Sequence, residues 1–363
     1  MNMDFDLNAL GALFELSNDA VLGIRDNEIA FANPRAEDLL GAKAGQNARD
    51  IVPAYILDDP SERFMATAVK EERHGNVSVV RRDGISLLCW TFPQAENHTF
   101  PASGRMAQVL SETLSSIRLA FDAIVGETGS DADPRLRGYT AIVYRDYYRL
   151  QRLCRHLSAT GNILGNTLPF SPQPIDLERV CESLCDTVSH FTASMGIALR
   201  FSGDDSSCFT LADKGLVEDM LLGLITNGLS HTVAGGCIAV GLRKRNNRFI
   251  LSVDDNGSGI APNDLSYIFE TSRPADTLLA DSGVGLGLGI VRGIAEKHGG
   301  ALIMESRLGS GTSARVTLPN VSPGPSEAAF YQPLTEYGEG LDKYLTELSV
   351  VLEPKFFNKK LFD

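Results

Sequence analysis

The sequence predicts a multidomain α+β protein: a small mixed α/β domain, a long two-helix hairpin, then an α/β sandwich with a glycine-rich loop. Three observations predict it. Short apolar runs broken by turn residues fill 8–98. Two long apolar stripes at three- and four-residue steps occupy 103–165. Within 175–319, an apolar strand ends in acids and glycines. A tail, 321–363, closes the chain.

At 363 residues there is room for two or three domains. The apolar fraction of 43% and charged fraction of 22% are those of a soluble globular protein. A net charge of −13 argues against broad attraction to nucleic acid or anionic lipid. The opening MNMDFDLNAL lacks a basic region and a long apolar core, and no run of about 18 apolar residues occurs. The expectation is a cytoplasmic protein without a membrane span. Six scattered cysteines fit reduced thiols. Cys181 and Cys185 share a helical face, but a metal site needs further ligands, so buried small side chains are expected. His74 and Trp90 invite a cofactor, yet a lone histidine is more often solvated or hydrogen-bonded.

Taken in order, "DAVLGIRDNEIAFANPRAEDLLG" gives an apolar run, a turn at Asp26-Asn27, a second run at Ile29 to Ala32 and a helix ending at Gly41. "GNVSVVRRDGISLLCWTFPQ" reads as two strands joined around Asp83-Gly84. This order resembles a PAS sensor domain, which implies a sheet enclosing a small pocket.

Met106, Val109, Leu110, Leu114, Ile117, Phe121 and Ile124 form one helical stripe. "GETGSDADP" breaks it. A second stripe runs through Leu136, Tyr139, Ile142, Val143, Tyr147, Leu150, Leu153 and Leu157. One hairpin cannot bury both stripes, so two hairpins pairing as a four-helix bundle, a homodimer through 103–165, is expected. "PFSPQPIDL" reads as a linker. In the tail, Leu341, Tyr344, Leu345, Leu348, Val351 and Leu352 make an amphipathic stretch, expected to pack on its own chain.

The strongest chemical signal lies in the third domain. "FILSVDDNGSGIAP" ends a strand at Asp255, and "DSGVGLGLGIVRGIAEKHGG" carries a glycine loop into a helix beginning near Leu288. Upstream, "EDMLLGLITNGLSHT" is a helix with Asn227 near its end. "GSGTSARVTLP" reads as a closing hairpin strand. A carboxylate on a pocket floor accepts a hydrogen bond from the adenine amino group, where guanine presents a carbonyl. Gly257 and Gly259 let backbone approach the base. Gly283, Gly285 and Gly287 leave amides for phosphate oxygens, and the helix adds its positive end. An asparagine oxygen suits magnesium. A Rossmann reading fails, because the loop lacks the G-x-G-x-x-G spacing.

Asn227, "DDNGSGI", Phe269 and "GVGLGLGI" resemble, in order and rough spacing, the GHKL ATP-binding domain of sensor histidine kinases, DNA gyrase, mismatch-repair ATPases and the ninety-kilodalton heat-shock chaperone. With the hairpin, the resemblance is to a histidine kinase catalytic core. It implies ATP or ADP and Mg2+ as cofactors. It assigns nucleotide binding to Asn227, His231, Asp255, Gly257, Gly259, Phe269, Gly283, Gly285 and Gly287, and metal binding to Asn227.

The sequence departs from that family at three points. Aligning "TLSSI" with the family's "PLxxI" puts Gln108 at the phosphoacceptor histidine and Val109 at the following acid. No histidine lies between His98 and His156, and an amide nitrogen is not nucleophilic at neutral pH. Gly223 stands four residues before Asn227, where the superfamily carries Asn, Asp or Glu. Ser230 stands where many kinases have a phosphate-contacting lysine, and Arg273 is the one cation between Phe269 and Gly283. Phosphoryl transfer is mostly positioning and charge neutralisation, so these changes predict retained binding and impaired transfer. The leading expectation is a pseudo-histidine kinase that binds nucleotide and regulates a response regulator or another kinase. Two other readings stay open. One is an active kinase, with His98 or His156 as acceptor, or a phosphatase using Ser111 or Glu112. The other is a scaffold with an empty pocket.

Overall fold

The computed structural model describes residues 14, 17, 19–70, 73–82, 84–91, 101–128, 134–204, 208–261, 265, 286–321 and 340–357. The first apolar run forms β1 (Ala20–Arg25), with five consecutive buried residues. Asp26 and Asn27 both adopt positive φ, 51° and 67°, which is the backbone of a two-residue hairpin turn into β2 (Glu28–Ala32). Asn33 then caps α1 (Pro34–Leu40) by accepting from the Ala36 amide, Pro34 sits in its first turn, and Gly41 at φ 66° ends it.

After α2 (Ala54–Leu57) come β3 (Arg63–Lys70), β4 (Arg73–Arg82) and β5 (Ile85–Thr91). β4 and β5 pair antiparallel with Arg82 opposite Ile85, in the order the expected hairpin requires; Asp83 lies outside the described residues. Strand order is β2-β1-β5-β4-β3. Trp90 is buried in the core of this sheet with Phe64, Leu22 and Leu88.

Two long helices follow, α3 (Pro101–Thr128) and α4 (Pro134–Leu164). α3 ends within the predicted break at 126–134 and α4 begins at its last residue. The first helix runs through Gly126, since one glycine costs only about 1 kcal/mol in a helix this long. Leu114, Val125, Ala141, Tyr144 and Tyr148 are buried, whereas Val109 (60% exposed), Ile117, Ile124, Tyr139 (67%), Ile142 and Val143 remain open. The hairpin leaves much of its apolar surface uncovered, as the two stripes require.

The third region runs β6 (Gln173–Asp176), α5 (Leu177–Ser194), β7 (Ala198–Ser202), β8 (Phe209–Ala212), α6 (Lys214–His231), β9 (Cys237–Arg245), β10 (Arg248–Asp255), α7 (Gly287–Lys297), β11 (Ala301–Arg307) and β12 (Gly311–Pro319). Its sheet order is β11-β12-β10-β9-β7. The expected linker "PFSPQPIDL" needs correcting, because its second half is β6, paired with β8. Burial of Ile175 and the two-strand ladder outweigh the prolines, which a two-stranded edge tolerates. Cys181 and Cys185 are buried beside it. Burial pushes both thiols up, Cys185 to about 12. Protonated thiols are poor metal ligands, and among the described residues no cluster of three ligating side chains forms.

The two sheets join. Met65 pairs with Met304 and Ala66 with Ile303, making one ten-stranded sheet. Met65 packs in the core of the C-terminal region and Ile303 in that of the N-terminal one. Thr67 Oγ1 accepts from the Leu302 amide at 3.2 Å, and Arg292 on α7 donates to buried Asn76 on β4 at 2.9 Å. The tail helix α8 (Gly340–Leu348) packs on its own chain as expected, with Leu345 and Leu348 fully buried.

Candidate functional site

Asp255 is the last residue of β10, and the antiparallel register sets it opposite Thr312 of β12 and Ile238 of β9. Its Oδ1 accepts from the Gly257 amide at 2.9 Å and the Thr312 amide at 3.3 Å. One carboxylate oxygen is thus fixed by the protein. Partial burial raises the carboxyl above its ordinary value, and those two amides and His231 counter the rise.

The loop after Asp255 is held on all sides. Ser258 N–H donates to the His231 carbonyl at 3.1 Å, and Gly309 N–H donates to the Ser258 carbonyl at 2.7 Å. Ile260 N–H donates to Ser306 Oγ at 2.8 Å. Asn256 Oδ1 accepts from the Cys237 amide at 2.8 Å. Gly257 and Gly259 are required sterically: a Cβ would stand 2.4 Å from the His231 carbonyl oxygen at Gly257 and 2.1 Å from that of Arg307 at Gly259. The close approach expected of these glycines is therefore made to backbone of the same chain.

Above the loop lies α6, with Gly228 over Asp255: a Cβ there would meet the aspartate's own Cβ at 3.5 Å. Asn227 is half-buried on this helix and His231 is exposed at its end. Gly223, one turn before Asn227, faces α7, where a Cβ would meet the Val291 methyl at 3.5 Å. A side chain at 223 would start in van der Waals contact with Val291, which puts this glycine at the packing seam of α6 and α7. Among the described residues of this helix turn, Asn227 offers a hard oxygen. That fits a magnesium ion held mainly by phosphates and water.

Gly287 opens α7, whose first turn has no side-chain cap at Leu286, leaving amides suited to an anion. Phe269, Arg273, Gly283 and Gly285 lie outside the described residues. Gln108 lies on α3, with its side chain outside that description. His98 is outside it too. His156 is 12% exposed, and its Nε2 stands 3.0 Å from Glu347 Oε2 of the tail. Ser111 lines a cleft of about 260 Å³ between the hairpin, α6 and α7, while Glu112 is exposed.

Thr312, Ser306, Gly311 and Gly228 were not singled out from the sequence. Thr312 had one available signal: a closing strand antiparallel to β10 puts "GT" opposite the acid.

Residues 212–322 match the family described as histidine kinase-, DNA gyrase B- and HSP90-like ATPase. The chain is 29% identical over 264 residues to the sensor protein ChvG of Agrobacterium fabrum, covering 69% of this chain and 43% of that one. It is 37% identical over 228 residues to the histidine protein kinase DivJ of Caulobacter vibrioides, covering 60% and 38%. It is 24% identical over 337 residues to the sensor protein SphS of Synechococcus elongatus, covering 81% and 79%. The chain thus spans less than half the length of two of these relatives. Residues 212–322 carry a GHKL-type ATPase domain, and the chain as a whole is similar to sensor histidine kinases. No described helix is long and apolar enough to cross a membrane.

Proposed function

We propose that this protein is a cytoplasmic, homodimeric pseudo-histidine kinase. Its N-terminal domain is a PAS-like sensor (8–98), 103–165 the dimerisation hairpin and 175–319 the ATP- or ADP-binding domain. Bound nucleotide selects between conformations that differ in affinity for a response regulator or another kinase. The observation that carries this reading is Asp255, with one oxygen pinned by two amides and no described residue bonded to the other, which we assign to the base; the sequence alignment adds Gln108 at the acceptor position. Bound magnesium, through Asn227, would neutralise phosphate charge.

Incubation of the full chain with γ-labelled ATP and magnesium tests it. The expected result is no acid-labile, base-stable phosphate on the protein. Robust labelling of that kind overturns the reading. The homodimer is supported by the exposed stripe of Val109, Ile117, Ile124, Ile142 and Val143. Sedimentation equilibrium should give twice the chain mass, and Ile117→Asp with Val143→Asp should weaken association at least tenfold. A monomeric wild type would rule the dimer out.

A further inference from the structure

The tail from Gly340 to Phe357 touches both hairpin helices, α3 and α4, and α5 and α6 of the ATP-binding domain. Toward the domain, Lys343 Nζ pairs with Glu218 at 3.0 Å and Asp219 at 2.9 Å on α6, and Phe356 meets Phe191 of α5 edge-on. Toward the hairpin, Tyr148 on α4 donates to Asp342 at 2.5 Å, and Arg118 on α3 pairs with the same carboxylate at 3.1 Å. Arg149 donates to the Ser349 carbonyl at 3.1 Å. Leu345, Leu348, Leu352 and Phe357 are buried in a core that also contains Tyr144, Tyr148, Val217 and Leu221.

At the centre lies a carboxylate held, among the described residues, by two side chains of α4. Glu347 Oε1 accepts from Arg152 Nε at 3.0 Å and Nη2 at 2.9 Å, and Oε2 meets His156 Nε2 at 3.0 Å. Its side chain is 11% exposed. Burial opposes ionisation of Glu347. The hydrogen bonds and charges of His156 and Arg152 outweigh it and hold the carboxyl at about 2. An uncompensated buried charge is costly, so the segment docks in one place.

α4 also meets the domain directly, and closely at one point, where a Cβ on Gly293 of α7 would stand 2.6 Å from the Ile163 side chain. Arg155 pairs with Asp219 at 3.2 Å. Between these contacts opens the cleft lined by Ser111, Arg155, Ser158, Asn162, Leu216 and Ile290.

We propose that Gly340–Phe357 is an intramolecular strap that locks the ATP-binding domain onto α4, with Glu347 clasped by Arg152 and His156 as its fastening. While the strap is docked, the nucleotide cleft and the hairpin move as one body. Undocking frees the domain to swing, and it uncovers the α4 face around Tyr148, Arg152 and His156. This inference stands apart from the nucleotide reading, since its test needs no nucleotide.

Hydrogen exchange by mass spectrometry on the full chain, with small-angle scattering, tests it. In the wild type, amides of 342–352 should exchange far more slowly than in an unstructured peptide. Glu347→Gln, nearly isosteric, should speed them at least tenfold, and Glu347→Arg at least a hundredfold. Amides of 144–157 and 214–222 should also loosen, scattering should report a larger radius of gyration, and β3–β5 should not change. Combining Glu347→Arg with Arg152→Glu should recover at least tenfold of the lost protection. Strap amides that exchange freely in the wild type, or equally in wild type and Glu347→Gln, overturn the proposal. So does a released strap with unaltered scattering and unaltered exchange in α4 and α6. Loss of β3–β5 protection in Glu347→Arg would mean unfolding, and Glu347→Gln then decides.

Discussion

Asp255→Asn is expected to weaken adenine-nucleotide binding about a hundredfold without lowering the melting temperature. The change is nearly isosteric. The amide oxygen would take over the bonds from Gly257 and Thr312, because a carbonyl oxygen accepts and an NH2 group cannot. That puts the NH2 group where the free carboxylate oxygen stood, donor against the donor of an adenine amino group. Two opposed, desolvated donors cost about 3 kcal/mol or less, which is a factor of roughly 100 in affinity. Stability should move the other way. Burial raises the Asp255 carboxyl, so the folded state binds its proton more tightly than the unfolded chain. Such a group costs stability when ionised, and the cost disappears as pH falls through its raised value. Asparagine mimics the neutral form, so melting should be unchanged or slightly higher. Affinity in the wild type should likewise decline as the carboxyl protonates on acidification. Isothermal titration with ATP and ADP, beside a thermal melt, measures both. Absence of binding by both wild type and variant would favour the scaffold reading with an empty pocket, equal binding would remove Asp255 as the base contact, and a lower melting temperature would contradict the bonds described for Oδ1.

What the sequence discloses depends on how local the physics is. Asp255 is legible because β10 announces itself as an apolar run and stops at acids and glycines within a few residues. The Asp26-Asn27 turn, the Asn33 cap and Gly41 are legible for the same reason: each is decided by backbone preferences of adjacent residues. Thr312 is not, because its amide reaches Asp255 through a strand register 57 positions away. The union of the two sheets is hidden altogether. Met65 and Met304 carry no mark distinguishing a joining strand from any other half-buried one. The docking of the tail is half legible. Its stripe declares an apolar face, but Arg152, His156 and Glu347 look like ordinary surface charges until the fold brings them together. Gln173 to Asp176 was obscured because Pro172 and Pro174 speak more loudly than one buried isoleucine. Gly223 reads as a lost polar group in the sequence, while the structure makes it a contact point between α6 and α7.

Gly311→Ala should be the most damaging single-methyl change at the site, costing about 2–5 kcal/mol. Gly311 opens β12 at φ 100°, outside the conformations an L side chain adopts readily. A Cβ there would lie 1.9 Å from the Asp255 carbonyl oxygen and 2.9 Å from the Asn256 Cα. Both obstacles are backbone, so no rotamer change relieves them, and β10 and β12 must part where the adenine-facing aspartate is held. Strain and overpacking therefore add. For a domain of this size the melting temperature should drop by about 5–15 °C, and nucleotide affinity should fall with it, since separating the strands breaks the bond from the Thr312 amide. Two neighbours calibrate the effect. Gly309 has φ 78° with open space around its Cβ position, so alanine there meets strain alone, about 1 kcal/mol. Gly287 has open space and ordinary helical backbone, so alanine should be neutral or stabilising by up to about 1 kcal/mol. The expected order of melting temperatures is Gly287→Ala at or above wild type, Gly309→Ala below it, and Gly311→Ala lowest. If Gly311→Ala melts with Gly309→Ala, backbone strain alone governs the position, and the close approach of β12 to Asp255 that shapes the pocket floor is refuted.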